Sequence, residues 1–459
     1  MTTPRHIAVL DVGKTNAKLA LVDGVSLSEI AVVTRPNTVL DGPPWPHFDL
    51  EGHWAFFLDN LAAFHKSHGV DAISVTTHGA SAVLLDTDGN LAAPMLDYEH
   101  DGPDTLATEY DAVRPPFSET GSPRLGMGLN LGAQLFWQFE VDPALQDRVA
   151  HVLTYPQYWG FRLTRKMATD VTSLGCHTDL WNPWEAKFSS LVERLGLSDS
   201  LAPAHPSADV LGMVSDDITA HTGLSPDTPV VCGIHDSNAS LLPHVLGRKG
   251  AFSVVSTGTW AVVMSVGGHA TPLDPDRDAL VNVNALGQAV PSARFMGGRE
   301  YEIIRAGGDT DVTEADRAAV LENGIQLLPA VEPGSGPFRG RDATWTALPD
   351  GQGQRMAALG FYLALMTKTC LDLVGADGPV IIEGPFARNR EYLDMLATLH
   401  ADGVEIAASA TGTSVGAAML FAEQVPPPLT HKVTPAQSNM LTHYAAVWQA
   451  RVEKEKTCA

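Results

Sequence analysis

The 459-residue chain contains only four cysteines. They are Cys176, Cys232, Cys370 and Cys458, and none has the spacing of a metal-binding pair. Small secreted domains that depend on disulfides are much richer in cysteine. We therefore expect reduced thiols, and we assign them no function.

Basic residues are also scarce, with 30 Lys and Arg against 53 Asp and Glu and a formal net charge of −23. This excess of acid argues against nucleic acid as a partner, because nucleic-acid binding needs a basic face. A small anionic ligand remains compatible, since backbone amides and one lysine can build a local phosphate site. No run approaches roughly 18 apolar residues, and residues 1–6 carry no secretory pattern, so we expect a cytoplasmic protein without a membrane partner.

The stretch DVGKTNAKLALVD, residues 11–23, contains the Gly-Lys-Thr that ends a Walker phosphate loop. That loop also needs a glycine five residues earlier, where Ala8 stands, and a helix afterwards. Here an apolar run of strand length follows, and HIAVL precedes it, so the pattern predicts strand, tight turn and strand. Such a turn can still present backbone N–H groups to a phosphate.

The order of patterns predicts an α/β protein. Three strand patterns in succession, then alternating helices and strands, indicate a mixed sheet covered by helices. Residues 131–200 read as largely helical, including WEAKFSSLVERLG at 184–196. The pattern restarts near residue 229, and length alone indicates more than one domain, so we predict domains at 1–228 and 229–459. Further helices are predicted from Thr413 to about Glu423 and around 438–453. Whether the last helix packs on its own domain or back on the first domain is left open.

A second hairpin pattern, FSVVSTGTWAVVMSV at 252–266, resembles the first. Both pair two apolar strands around a short Gly/Thr turn. An internal duplication of one phosphate-binding hairpin explains the similarity, and two unrelated hairpins would explain it as well.

Two carboxylates stand at strand ends, where open α/β sheets bind ligands. Asp11 could hold Mg²⁺ through water, or it could only stabilise its own turn. Asp236, in GIHDSNAS, could only cap a helix, or it could accept a hydroxyl proton as a base. Lys14 could pair with a phosphate as a point charge, or it could be exposed.

In this order, the motifs resemble the FGGY family of carbohydrate kinases, within the sugar kinase/actin-like ATPase superfamily. DVGKTNAK looks like the first phosphate motif, GIHDSNAS the catalytic acid motif, STGTW the second phosphate motif, and EGPFARN takes the place of the adenosine turn. STGTW and Asn389 look more like the rhamnulokinase and fuculokinase branches. The resemblance implies two actin/ribonuclease H-like domains with mixed sheets, flanking helices and a central cleft. Sugar would bind mainly to the first domain, and ATP mainly to the second.

The resemblance also implies roles for matching residues. Asp236 would be the general base that deprotonates the sugar hydroxyl, and Asp11 would organise Mg²⁺ through water. The implied contacts to ATP are at Asp11, Gly13, Lys14, Thr15, Asn16, Thr257, Gly258, Thr259, Gly384, Ala387, Asn389 and Gly412. Thr15 and Asn16 would face the γ-phosphate, and the 257–259 turn the β/γ-phosphates.

This chain departs from the family pattern at three places. Pro385 and Phe386 stand where consecutive glycines are common, and Lys14 replaces a small or hydroxyl residue. The stretch LDYEHDG, residues 96–102, lacks an expected arginine. Our candidates for sugar hydroxyls, each of which alone is more often structural, are His78, Asp97, Glu99 and His100, together with Asp236. His177 and Asp179 stay unassigned.

The resemblance therefore implies an ATP- and Mg²⁺-dependent kinase of a small sugar, a ketose or a rhamnulose-like 6-deoxyketose. The alternative is a regulator or actin-like ATPase that binds nucleotide on the same fold without sugar kinase activity. Two phosphate turns together with Asp236 favour the enzyme, and the altered adenosine turn favours the alternative. Whether the chain acts alone or as a homodimer is left open.

Overall fold

A computed structural model describes residues 4–408, 412–422, 425–436 and 439–456. The chain divides into two compact units. The first contains the described residues of Met1–Arg248, Val281–Ala289 and Thr411–Pro427, and the second those of Lys249–Leu280, Val290–Ala410 and Pro428–Ala459. The predicted division at 228/229 falls inside the first unit, because Pro229–Val231 pairs in parallel with the strand Ala72–Thr77 of that unit.

A mixed sheet forms the centre of the first unit, as the three successive strand patterns predict. Its first three strands are antiparallel neighbours, and His6–Val12 also pairs in parallel with Ala72–Thr77. In spatial order the strands are Val210–Met213, Pro229–Val231, Ala72–Thr77, His6–Val12, Asn16–Asp23 and Ser28–Pro36, with Ile234–His235 also paired to Ala72–Thr77. Two-stranded pairs are Val39–Leu40 with His47–Phe48, Ala82–Leu85 with His151–Thr154, Thr169–Asp170 with Ala204–His205, and Trp181–Asn182 with Lys187–Phe188.

Helices pack against this sheet through apolar faces. Leu50–His68 begins at Asp49, whose carboxylate accepts a hydrogen bond from the Gly52 amide, and it buries Phe57 and Leu61. The other α-helices of the unit are Ala107–Val113, Phe117–Thr120, Leu131–Val141, Pro143–Arg148, Tyr155–Thr164, Val171–Leu174, Ser190–Arg194, Asp216–Thr222, Asp236–Gly247 and Thr413–Ala418, with 3₁₀ turns at Gly102–Leu106 and Met419–Phe421. The helix predicted from Thr413 is thus shorter, and Glu423 lies outside the described residues.

The helix predicted over 184–196 is wrong for most of its length. Asn182 accepts hydrogen bonds from the amides of Trp184 and Glu185, which closes a turn between two short strands. Only Ser190–Arg194 is helical, and the Ser189 hydroxyl caps it. Local side-chain bonds to the backbone here outweigh the helical spacing of apolar residues.

The second unit repeats the arrangement of the first. Phe252–Thr257 pairs antiparallel with Ala261–Val266 and parallel with Val380–Glu383. In spatial order the sheet contains Ala279–Val283, Ala289–Phe295, Ala261–Val266, Phe252–Thr257, Val380–Glu383, Val404–Ala407 and Thr430–Lys432. Leu327–Leu328 and Thr344–Trp345 form a separate two-stranded pair. The helices are Gly297–Arg305, Glu314–Asn323, Gln352–Leu373, Arg390–Leu399 and Asn439–Lys456, with 3₁₀ turns at Pro275–Arg277 and Pro385–Arg388. The shared topology supports the interpretation of the two hairpins as a duplication.

Two helices complete the core of the second unit. Gln352–Leu373 is, among the described residues, the one helix long and apolar enough to cross a membrane, but 78% of its apolar window is buried inside the protein, as in many core helices. The last helix packs within this unit, where Trp448 Nε1 donates to the Leu327 carbonyl at 2.8 Å. The sequence predicts that this last helix begins near residue 438, which lies outside the described residues; the described helix is Asn439–Lys456. Cys176, Cys232 and Cys370 are free and buried, and Cys458 is not among the described residues.

Candidate active site

Asp11 is the last residue but one of the first strand, and it is almost fully buried, at 7% exposure. Its Oδ2 accepts hydrogen bonds from the hydroxyls of Thr413 and Ser414, the latter at 2.8 Å, and lies 3.1 Å from Lys18 Nζ. Sequence reasoning missed these three partners. Lys18 was recoverable, because a turn at 13–16 makes it the direct cross-strand neighbour of Asp11.

The turn after Asp11 is closed by backbone bonds and held by a neighbouring asparagine. The Gly13 amide donates to the Asn16 carbonyl at 2.9 Å, and Asn37 Nδ2 donates to the Gly13 carbonyl at 2.8 Å. The backbone N–H of Asn37 also donates to the Thr15 carbonyl at 2.9 Å. Thr15 and Asn16 themselves are exposed. The fixed turn therefore leaves the two predicted phosphate side chains available to a ligand.

Lys14 turns towards two of the predicted sugar residues. Its ammonium forms ion pairs with Asp97 and, at 3.1 Å, with Glu99. It also lies 4.7 Å from the ring centre of Tyr98 and 5.0 Å from that of Phe48, within the range of cation–π attraction. We call these five residues the Lys14 cluster.

His78 lies beside this cluster, at the end of the strand Ala72–Thr77. Its ring packs 5.2 Å from the ring centre of Tyr98 and 5.1 Å from that of Tyr155. Nδ1 lies 3.0 Å from the Gly79 carbonyl, whereas Nε2 is buried and has no hydrogen-bond partner among the described residues. Burial lowers the pKa of His78, so the imidazole is neutral near pH 7. A buried, unpaired ring nitrogen is the kind of group that a ligand hydroxyl would satisfy.

Asp236 begins the helix Asp236–Gly247, as predicted, and its side chain is 30% exposed. Its Oδ1 accepts a hydrogen bond from the Ser237 amide at 2.6 Å and lies 3.3 Å from His235 Nε2. The raised pKa of Tyr98 reflects burial first, then the charges of Glu99 and Asp236. The first unit thus brings Asp236, His78 and the Lys14 cluster into one neighbourhood.

Beneath Asp236 lies a buried pair that the sequence did not reveal. Burial alone would raise the pKa of Cys176, but the imidazoles of His177 and His235 lower it to about 5. Burial would lower the pKa of His235, but Cys176 and Asp236 raise it to about 9. A Cβ on Gly79 would stand only 2.7 Å from His235 Nε2, which explains the glycine there.

Two other residues have clear structural contacts. His100 packs against Trp137 with ring centres 5.1 Å apart. Asp179 is fully buried and bonds to Arg114 at 2.9 Å and to the Tyr110 hydroxyl at 2.6 Å. The contacts with Arg114 and Tyr110 show that Asp179 is part of the core of the first unit.

The second unit contains a cavity of about 870 Å³ beside its hairpin turn. Gly258, Thr259 and Asn389 line it, and so do Phe386 and Tyr301. The remaining lining residues are Gly298, Arg299, Glu302, Thr310, Asp311, Val312, Met356, Pro385, Arg388, Arg390 and Glu391. Its size suits a nucleotide, and Phe386 with Tyr301 supply an aromatic wall.

The turn 383–389 is fixed by Thr257. The Thr257 hydroxyl donates to the Glu383 carbonyl at 2.5 Å and accepts from the Phe386 amide at 3.2 Å. Gly384 has a φ of +86°, and a Cβ there would stand 2.0 Å from the Thr257 carbonyl oxygen, so the position requires glycine. Gly384 and Ala387 belong to this turn, although neither is among the described residues that line the cavity. Asn389 caps the next helix by accepting from the Tyr392 amide at 2.9 Å, and Gly412 stands before Thr413 in the first unit.

Glu300 anchors the helix Gly297–Arg305 that borders the cavity. It is fully buried, and it accepts hydrogen bonds from the Glu332 amide and the Tyr362 hydroxyl, both at 3.1 Å. Burial raises the pKa of Glu300 from 4.5 to about 7. The folded state therefore binds more protons than the unfolded state between these values, and the free energy of unfolding falls as pH rises from about 4.5 to about 7.

Replacing Glu300 by glutamine is expected to remove this pH dependence. The quantity to compare is the unfolding free energy of the variant minus that of wild type. This difference should be higher at pH 8 than at pH 5 by about 1–3 kcal/mol. Urea unfolding of both proteins at pH 5, 6.5 and 8 measures the difference. The exposed Glu302→Gln on the same helix is the control, with no such pH-dependent gain. Parallel curves for Glu300→Gln and wild type would contradict the assignment.

The groups around Asp11 that could serve a metal ion are its own carboxylate and the hydroxyls of Thr413 and Ser414. Within the part of the chain that the structure describes, no group of three or more His, Cys, Asp or Glu side chains could hold a metal ion. Mg²⁺ that carries several waters and nucleotide phosphates needs only one or two protein carboxylates. A lone carboxylate beside hydroxyl oxygens fits that mode of binding.

Comparisons with known proteins bear on the family and on the fold. The model of the FGGY family of carbohydrate kinases, N-terminal domain, matches residues 6–243, and that of carbohydrate kinase FGGY, C-terminal domain, matches residues 249–428. A carbohydrate kinase from Novosphingobium aromaticivorans is 36% identical, with a TM-score of 0.90 over 97% of this chain and 100% of that one. A xylulose kinase from Rhodospirillum rubrum, 22% identical with a TM-score of 0.79 over 98% and 99% of the two chains, shares the fold.

Curated relatives match over part of their length. An L-fuculokinase of Salmonella typhi is 26% identical over 56% of this chain and 56% of its own. A rhamnulokinase of Klebsiella pneumoniae is 24% identical over 56% of this chain and 53% of its own. The alignments therefore span about half the length of these relatives.

Proposed function

Since the chain belongs to the FGGY family of carbohydrate kinases, we propose that it transfers the γ-phosphoryl group of ATP to a hydroxyl of a small ketose or 6-deoxyketose. The observation that carries this proposal is that Asp236, a partly exposed carboxylate, lies near enough to His78 for its charge to raise the pKa of that imidazole, against the lowering by burial, and that the buried Nε2 of His78 has no partner among the described residues. The L-fuculokinase and rhamnulokinase among the relatives support a deoxyketose as the acceptor.

In the proposed reaction, Asp236 accepts the proton of the acceptor hydroxyl. The hydroxyl oxygen forms a bond to the γ-phosphorus, the bond from that phosphorus to the β,γ-bridging oxygen breaks, and ADP leaves. His78 orients the sugar by a hydrogen bond at Nε2. Thr15 and Asn16 orient the γ-phosphate, while Gly258 and Thr259 hold the nucleotide in the second unit. Phosphoryl transfer asks the protein mainly for this positioning and for charge stabilisation.

Mg²⁺ would be held by Asp11 through water, and it would neutralise charge on the phosphates. Lys18, Thr413 and Ser414 orient the Asp11 carboxylate through their contacts at Oδ2. The adenosine part of ATP would occupy the cavity beside Asn389 and Phe386, with Gly384 and Ala387 shaping the turn.

A coupled assay of ADP release tests the proposed activity. L-Fuculose, L-rhamnulose, D-xylulose and glycerol are offered in turn with ATP and Mg²⁺. We expect ADP release that depends on at least one ketose. ADP release that needs no sugar and is unchanged in Asp236→Asn would favour the actin-like ATPase or nucleotide-binding regulator instead.

Replacing Asp11 by asparagine is expected to raise the Mg²⁺ concentration for half-maximal turnover by about tenfold, because a neutral amide binds this hard cation more weakly. Titration of Mg²⁺ at saturating ATP and ketose measures it. Asp23→Asn, at the other end of the same hairpin, is the matched control and should leave the Mg²⁺ requirement unchanged. An unchanged requirement in Asp11→Asn would remove the assigned metal role.

A further inference from the structure

Lys14 stands in the turn that would face the γ-phosphate, yet its side chain is engaged elsewhere. The ammonium has three N–H donors, and the carboxylates of Asp97 and Glu99 both lie in ion-pair contact with it. The rings of Tyr98 and Phe48 flank the same nitrogen. The side chain is only 22% exposed. An ammonium held by two carboxylates and two aromatic faces is poorly placed to serve a phosphate as well.

The segment that Lys14 holds has a defined backbone. The Asp97 amide donates to the Pro46 carbonyl at 2.9 Å, and the Gly128 amide donates to the Tyr98 carbonyl at 2.9 Å. The Glu99 amide donates to Asp97 Oδ1 at 3.2 Å, the same oxygen that Lys14 contacts. The ion pair therefore joins the hairpin turn to a segment 83 residues away, whose fold depends on that carboxylate.

Lys14 also contacts His78 indirectly, through the ring of Tyr98. Its ammonium packs on Tyr98, and the Tyr98 ring packs on His78, whose Nε2 is buried without a partner among the described residues. The stretch LDYEHDG carries no arginine, so the positive charge beside its acids comes from the hairpin instead.

We propose that Lys14 is a positioning residue for the acceptor sugar, which fixes Asp97, Tyr98 and Glu99 around His78, and that it is not a ligand of the γ-phosphate. This inference rests on the proposed kinase function. Loss of the charge would leave two carboxylates unneutralised beside the sugar, and the segment 97–99 would shift. The binding of ATP, which the neighbouring side chains Thr15 and Asn16 serve, would stay the same.

The variant Lys14→Met tests this role, because methionine keeps an apolar stem against the two rings and removes the charge. We expect the KM for the best ketose of the panel to rise about tenfold or more, with the KM for ATP within about twofold and kcat within about threefold of wild type. Lys14→Arg should restore most of the ketose affinity, because it keeps the positive charge. A purely structural defect would not be rescued in this way and would lower kcat and both affinities together.

Calorimetric titration separates this inference from the kinase proposal. Ketose alone should bind Lys14→Met about tenfold more weakly than wild type, while ADP alone should bind both proteins equally. If Lys14→Met instead weakens ADP or raises the KM for ATP with ketose affinity intact, Lys14 serves the phosphate and the inference is wrong while the kinase stands. If wild type neither binds nor phosphorylates a ketose of the panel, both proposals fail.

Discussion

Replacing Asp236 by asparagine is expected to lower kcat by about a hundredfold or more, the usual scale for loss of a general base. Asparagine keeps the shape of the side chain and can still accept a hydrogen bond from the Ser237 amide, so the start of the helix should survive. It cannot take a proton from the acceptor hydroxyl. The KM values for ketose and ATP should therefore stay within a few-fold of wild type, and steady-state kinetics with the best ketose measures all three constants.

The control for this variant is Asp216→Asn. Asp216 is also the first residue of an α-helix in the first unit, and it is exposed. The two substitutions therefore change helix-terminal charge equally. We expect wild-type turnover from Asp216→Asn, and an Asp236→Asn enzyme with most of its turnover would mean that another group is the base.

Replacing Gly416 by alanine is expected to cost about 3 kcal/mol of unfolding free energy in the first unit, at the upper end for overpacking a rigid contact. A Cβ on Gly416 would stand 1.8 Å from the Ala239 carbonyl oxygen. That oxygen belongs to the backbone of the helix Asp236–Gly247, so neither helix can yield by a side-chain rotation. The two helices must move apart, and urea unfolding should show the lost stability.

Moving the helix that contains Gly416 should also disturb Asp11, which precedes the phosphate turn. The helix of Gly416 carries Thr413 and Ser414, whose hydroxyls hold Asp11. We therefore expect Gly416→Ala also to lower kcat/KM for ATP in the folded fraction. Gly412→Ala is the stability control, because a Cβ at Gly412 would meet no atom of the described residues within 4 Å. Equal stability of the two variants would show that the close helix contact is not rigid.

Local patterns in the sequence predicted the elements that carry the site. The hairpins at His6–Asp23 and Phe252–Val266 formed as expected, because apolar runs of strand length and a glycine turn are encoded in adjacent residues. The strand-to-helix junction at Asp236 was likewise local. The helix over 184–196 was wrong, because Asn182, two residues before the predicted start, closes a turn that the apolar spacing does not reveal.

The roles of individual polar residues were harder to foresee. Thr257 was expected to face phosphate, and the structure shows its hydroxyl bonded to the Glu383 carbonyl and the Phe386 amide. Nothing near Thr257 in the sequence indicates these partners. The nucleotide contact at Thr257 stays a prediction, and Gly258 and Thr259 lie at the cavity.

By itself, the sequence determined the α/β class, the two similar hairpins and the acids at strand ends, since each follows from the periodicity and turn residues of a short segment. Only the tertiary structure decided that Thr413 and Ser414 meet Asp11 across 402 and 403 positions, and that Lys14 joins Asp97 across 83. Such contacts depend on how whole strands and helices pack, which no local pattern contains. For the same reason, the described residues of 411–427 belong to the first unit although they come late in the chain.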